Sequence, residues 1–107
     1  MKRDKRLPLT ETSFYILLAL KNPMHGYLAM QEVENLSEGE VRIAPGTMYG
    51  ALENLSSQGL IDSIDGDDPR RKLYRLTSQG QVLLELELTR LKKLTRIAAS
   101  HGVRGLS

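Results

Sequence analysis

The chain has no cysteine, no tryptophan and a single phenylalanine among its 107 residues. The lack of cysteine excludes disulfides, thiolate metal sites and cysteine nucleophiles. Two histidines, His25 and His101, stand far apart without a cluster of partner ligands, so no metal site is expected. Long apolar runs are missing as well. The longest, Phe14 to Leu20, falls short of the roughly 20 residues a membrane span needs. The basic start, Lys2-Arg3-Asp4-Lys5-Arg6, is not followed by a signal-peptide cleavage pattern. The reading therefore expects a cytoplasmic protein with no membrane partner. Paired acids, nucleophile–base sets and glycine-rich phosphate loops are also lacking, which argues against an enzyme and against a cofactor.

Nor is there a strong excess of one charge: 15 basic residues face 13 acidic ones, a net +2. The distribution says more than the total. Bases gather at Lys2–Arg6, at Arg70-Arg71-Lys72 with Arg75, and at Arg90, Lys92, Lys93 and Arg96. Acids gather at Glu32–Glu40 and at Asp62–Asp68. A chain of this length makes one domain with a modest core, and pairing with a second copy would add to it.

Along the chain, Thr10 is placed to cap a first helix whose core side is Phe14, Ile16, Leu17 and Leu18, ended by Asn22-Pro23. A second helix starts near His25-Gly26 and carries a stripe of Tyr27, Met30, Val33 and Leu36. Val41-Arg42-Ile43 has the pattern of a very short strand. A third helix runs from about Pro45 to Gln58, with Gly59 as its left-handed stop. Leu60–Asp65 and Arg70–Leu76 form a hairpin about the turn Gly66-Asp67-Asp68-Pro69. Three helices followed by a hairpin make a winged helix-turn-helix.

The third helix is unusual in its outer face. Met48, Ala51, Leu52 and Leu55 line the inner side. The outer side carries Gly46, Gly50, Glu53 and Ser57, flanked by Thr47, Tyr49 and Asn54. A plain surface helix fills such a face with Lys and Glu. A small, hydroxyl-rich face suits close docking in a DNA groove. A plain core helix with an unremarkable exterior is the competing reading of this segment.

From Thr77 to His101 the pattern is helical again, roughly 37 Å at about 1.5 Å per residue. Leu84, Leu88, Leu91, Leu94 and Ala98 lie along one broad side, widened by Leu83, Leu86 and Ile97. That side is too large for one small domain to cover, so a second copy is expected on it. The fold class is therefore mainly α with a small β-hairpin. Residues 1–76 form the winged-helix domain, with 1–8 a basic arm. Residues 77–101 form a dimerisation helix, and 102–107 a loose tail.

Four ordered segments carry a family resemblance. They are Phe14-Tyr15-Ile16-Leu17-Leu18-Ala19-Leu20, His25-Gly26-Tyr27, Pro45-Gly46-Thr47-Met48-Tyr49 with Leu52, and Arg71-Lys72-Leu73-Tyr74-Arg75-Leu76-Thr77-Ser78-Gln79-Gly80. In that order the chain resembles the PadR family of bacterial transcriptional regulators, over about residues 9–95. The short length and single C-terminal helix resemble its small subfamily.

The resemblance implies a repressor that dimerises through its last helix and binds a pseudo-palindromic double-stranded operator. It also implies an apolar pore that in some members takes flat aromatic drugs on a tryptophan. Without a tryptophan, this chain is expected to lack such stacking. On this reading Gly46, Thr47, Tyr49 and Asn54 meet bases or phosphates. Arg70, Arg71 and Lys72 hold the flanking backbone, and Arg42 and Tyr15 are further phosphate candidates. Leu84, Leu88, Leu91, Leu94 and Ala98 pair the protomers. Phe14, Leu84, Leu88 and Leu91 line a pocket for a small apolar effector. The alternatives are a winged-helix module that binds protein, and a small-molecule binder with secondary DNA contact.

Overall fold

The computed structural model describes residues 3–64 and 71–107. Helix α1 spans Glu11–Ala19, and Thr10 caps it by accepting the Ser13 amide at 3.0 Å. It stops at Leu20, before the Asn22-Pro23 pair read as its end. A two-residue strand β1, Met24–His25, leads straight into α2, Gly26–Leu36. Helix α3 is Pro45–Ser57, with Pro45 in its first turn, where a missing N–H costs nothing. Gly59 follows at φ +76°, the left-handed stop. Strands β2, Ile61–Ile64, and β3, Leu73–Leu76, pair antiparallel in the register Ile61↔Leu76 to Ile64↔Leu73. Helix α4, Ser78–Ser100, completes the order.

The sheet is larger than the hairpin read from the sequence. Among the described residues it has three strands in the order β1-β3-β2, with Met24 opposite Tyr74 and His25 opposite Leu73. The short strand expected at Val41-Arg42-Ile43 does not form. There the Ser37 hydroxyl takes both backbone groups of Val41: it accepts from the amide at 2.9 Å and donates to the carbonyl at 3.3 Å. The free edge of β3 is taken by β1 instead.

The core gathers Ile16, Leu17 and Leu20 from α1, Val33 from α2, Met48, Leu52 and Leu55 from α3, and Leu83 and Leu84 from α4. Helix α2 buries only part of the stripe expected: Val33 is in the core and Met30 packs against it, but the stripe's two ends are exposed. Gly26, Ala29 and Val33 face inward, while Tyr27 is 60% exposed and Leu36 also faces solvent. The reason is proximity. A Cβ on Gly26 would stand 2.9 Å from Tyr49 Cε1 and 3.2 Å from Leu52 Cδ1, so α2 and α3 meet too closely for large side chains. Phe14 and Leu18 are only partly buried and border a surface hollow.

The joint between sheet and α4 is equally tight. Thr77 Oγ1 donates to the Gly59 carbonyl at 2.6 Å and accepts the Gly80 amide at 3.0 Å. A Cβ on Gly80 would overlap the Leu60 carbonyl oxygen, so the first turn of α4 lies directly on the Gly59-Leu60 turn. The start of the chain is fastened too. Leu7 and Leu9 pack against the core, and the Leu9 amide donates to Glu87 Oε2 at 2.8 Å. The basic arm expected over residues 1–8 is therefore anchored at its inner end.

Candidate nucleic-acid interface

Helix α3 presents the lean face that its sequence foretells. Gly46, Thr47, Gly50, Glu53, Asn54 and Ser57 are exposed, while Met48, Leu52 and Leu55 are buried. A Cβ built on Gly46 or on Gly50 meets no atom within 4 Å. Among the described residues nothing requires either glycine. The helix start is open as well: Ala44 contributes no side-chain cap, and the first helical amide bond is Met48 N–H to the Ala44 carbonyl, 2.9 Å. The amides of the first turn thus face outward, and such a turn attracts anions.

A groove runs between this helix and the sheet. Gly46, Tyr49, Gly50 and Glu53 line one wall, and Ser63, Lys72 and Tyr74 the other. Of the residues read from the sequence as site residues, Gly46, Tyr49 and Lys72 line this groove, while Thr47 and Asn54 are exposed on α3 outside its lining. Tyr49 is partly buried, its ring lying over Gly26, so it both packs and lines the groove. Asn54 sits in the third turn, with its side-chain oxygen accepting from Gln58 Nε2 at 2.7 Å. Tyr74 on β3 is buried, and that burial raises the phenol pKa. Arg71 is exposed just before β3. Arg70 and the turn Gly66-Asp67-Asp68-Pro69 lie outside the described residues.

Other candidates lie elsewhere. Arg42 pairs with Glu34, Nε to Oε1 2.9 Å, on the surface. Tyr15 is corrected: it stacks edge-on against Phe14 at 6.1 Å and lines a hollow beside α4 with Glu11, Glu40, Glu87 and Leu91. Its place in α1 turns it towards α4 rather than towards the α3 groove. His25 occupies the N-cap position of α2 without capping it; its Nδ1 bonds the Lys72 carbonyl at 3.1 Å instead.

On α4, Leu88, Leu91 and Leu94 are exposed at 42%, 38% and 48%, and Ala98 is half-buried. Leu84 is corrected as a pairing residue, because it is 6% exposed and belongs to the chain's own core. The pocket residues split. Phe14, Leu84 and Leu88 border one hollow with Leu18, while Leu91 borders the neighbouring one with Phe14 and Tyr15. Sequence reasoning missed Glu87. It is 2% exposed, bound to the Arg90 guanidinium and to the Leu9 amide, and Arg90 holds its carboxyl below the usual range despite burial. The available signal was its place in the row Leu84, Glu87, Leu91, Leu94, Ala98, with an arginine one turn later.

No helix among the described residues is long and apolar enough to cross a membrane. Among known proteins, the chain is 35% identical over 82 residues to Transcriptional regulator Rv3488 of Mycobacterium tuberculosis, covering 73% of this chain and 72% of that one. An uncharacterised 37.1 kDa protein of transposon TN4556 from Streptomyces fradiae is 31% identical over 86 residues, 79% of this chain but only 24% of that protein. The fold matches the X-ray structure of a PadR-like transcription factor from Bacteroides fragilis with a TM-score of 0.67 at 26% identity, covering 83% of this chain and 87% of that one. Residues 16–86 match the PadR-like family of transcriptional regulators, and the chain belongs to that family.

Proposed function

We propose that this chain is a sequence-specific DNA-binding repressor that acts as a homodimer on a pseudo-palindromic operator. The observation that carries the reading is Gly50. A glycine inside a helix costs about 1 kcal/mol against alanine. Among the described residues a Cβ there meets nothing within 4 Å, so no packing among them offsets that cost. The requirement then lies outside the chain, in a surface that approaches the backbone of α3 closely. A DNA groove has that shape and reaches for the donors present: the first-turn amides, the Thr47 hydroxyl and the Asn54 amide. Lys72 and Arg71 stand at the flank, where phosphates would lie. In this reading residues 1–76 read the DNA and 77–101 pair the protomers.

The exposed leucines of α4 support pairing, since the buried row of Gly80, Leu84 and Glu87 runs on into Leu91, Leu94 and Ala98. Two copies would set two α3 helices about one DNA turn apart. The hollow of Phe14, Leu18, Leu84 and Leu88 lies where α1 meets α4, so an aliphatic effector seated there would bias the spacing of the reading heads.

The test is Gly50→Ala, measured twice. Its urea midpoint should rise, by up to about 1 kcal/mol of stability. Its affinity for duplex fragments from upstream of its own gene should fall at least several-fold, as the added methyl holds the helix off the groove. A variant that gains stability and binds those fragments like wild type would remove the basis of the reading.

A further inference from the structure

His25 is exposed, yet its ring is held in one orientation. Nδ1 lies 3.1 Å from the Lys72 carbonyl oxygen. A carbonyl only accepts, so Nδ1 carries the proton and donates. The neutral ring then has a bare Nε2, which is an acceptor. An acceptor facing a phosphate oxygen repels it. A second proton turns Nε2 into a donor without breaking the Lys72 bond, and it adds a positive charge.

The position makes this matter. His25 is the last residue of β1 and abuts Gly26, over which the Tyr49 ring lies; its backbone pairs with Leu73, next to Lys72 in the groove wall. Among the described residues, the Lys72 carbonyl bonds its ring, Arg71 stands one residue before Lys72, and Tyr49, Glu53 and Tyr74 are the titratable groups that line the groove with Lys72. Among the described residues, its ring hydrogen bond goes to Lys72 and no carboxylate pairs with it.

We infer that His25 is a phosphate contact at the junction of wing and reading helix, made only by the doubly protonated ring, so that duplex binding takes up a proton. The inference rests on the DNA-binding reading above. It makes grip on the backbone, rather than choice of bases, depend on pH across the range where imidazole titrates.

The experiment measures affinity between pH 6 and 8 for the upstream duplex and for an unrelated duplex of equal length. Wild type should lose affinity for both as pH rises, by at most about tenfold per pH unit for each protomer's proton. His25→Gln keeps a donor for the Lys72 carbonyl but cannot titrate; its profile should flatten. His101→Gln, at the far end of α4, should keep the wild-type profile. In wild type, the His25 ring resonances should titrate at higher pH with duplex bound than without it, a readout that needs no variant.

A flat wild-type profile with binding intact overturns the inference alone. So does an unchanged slope in His25→Gln, or a ring that titrates alike with and without duplex. Loss of binding to every duplex at every pH overturns the DNA reading and this inference together.

Discussion

The contact between Gly26 and Tyr49 fixes where α3 sits, and Gly26→Ala perturbs it with one methyl. The new Cβ would stand 2.9 Å from Tyr49 Cε1 and 3.2 Å from Leu52 Cδ1. Leu52 is fully buried and has nowhere to go, so the partly exposed Tyr49 ring must yield or α2 and α3 must part. Overpacking of this kind costs about 1–3 kcal/mol. Removing a glycine from a helix returns up to about 1 kcal/mol. With the full gain the net is a loss of up to about 2 kcal/mol, a fall in melting midpoint of up to roughly 15 °C for a domain of this size. Thermal and urea melts followed by circular dichroism would read it, at one fixed protein concentration because the proposed pairing would shift the midpoint. The control is Tyr49→Ala. With the ring gone, the same glycine change should cost less than about 0.5 kcal/mol, a coupling of about 1 kcal/mol or more between the two positions. Equal costs in both backgrounds would show that the ring does not lie over Gly26 and that the helices cross in some other way.

Helix α3 was the most legible element, and for local reasons. Pro45, the spacing of Met48, Leu52 and Leu55, and Gly59 each state a boundary or a face without reference to the rest of the chain. Helix α2 was legible in extent and only partly in orientation, since Met30 and Val33 of the expected stripe do meet the core. Its inward face is built from Gly26, Ala29 and Val33, and small residues chosen for a close approach leave no hydrophobic signature, whereas Tyr27 and Leu36 do and are exposed. Strand β1 is two residues long and exists because β3 offers a free edge, a fact no local window contains. The site divides in the same way. Thr47, Gly46 and Gly50 could be read from composition, because a helix face so poor in charge is conspicuous. Tyr15 could not, since an aromatic in α1 has the same pattern whether it turns to α3 or to α4. Glu87 was hidden by its own charge. A carboxylate in an apolar row reads as an interruption until Arg90 and the Leu9 amide are found bound to it.

Three further outcomes follow from the same structure. Replacing Arg71 and Lys72 with Ala should weaken binding to all duplexes alike and flatten the slope of log affinity against log salt by about 0.9 for each phosphate no longer neutralised; Thr47→Ala or Asn54→Ala should leave the slope and cost about 1–3 kcal/mol on the cognate site alone. Leu91→Glu with Leu94→Glu should give folded monomers by sedimentation, since both side chains are already half in solvent within one chain; a dimer that survives both charges is built on another surface. The last concerns Glu87 and pH. Its carboxyl is held below the ordinary 4.5, first by the Arg90 guanidinium, against the opposing effect of burial. A depressed folded value means the unfolded chain takes up the proton first. The stability that the charged form supplies is thus complete above about pH 4.5 and drains away as pH falls through the folded value. Asp4, held to about 2 by Arg6 on the chain surface, is common to wild type and variant and cancels in their difference. Glu87→Gln should therefore be less stable than wild type at pH 7 by about 1–3 kcal/mol, because Arg90 and the Leu9 amide lose a charged acceptor. The gap should close as pH falls from 5 towards 3. A gap that is the same at pH 7 and pH 3 would mean that the buried carboxylate stabilises this joint by shape rather than by charge.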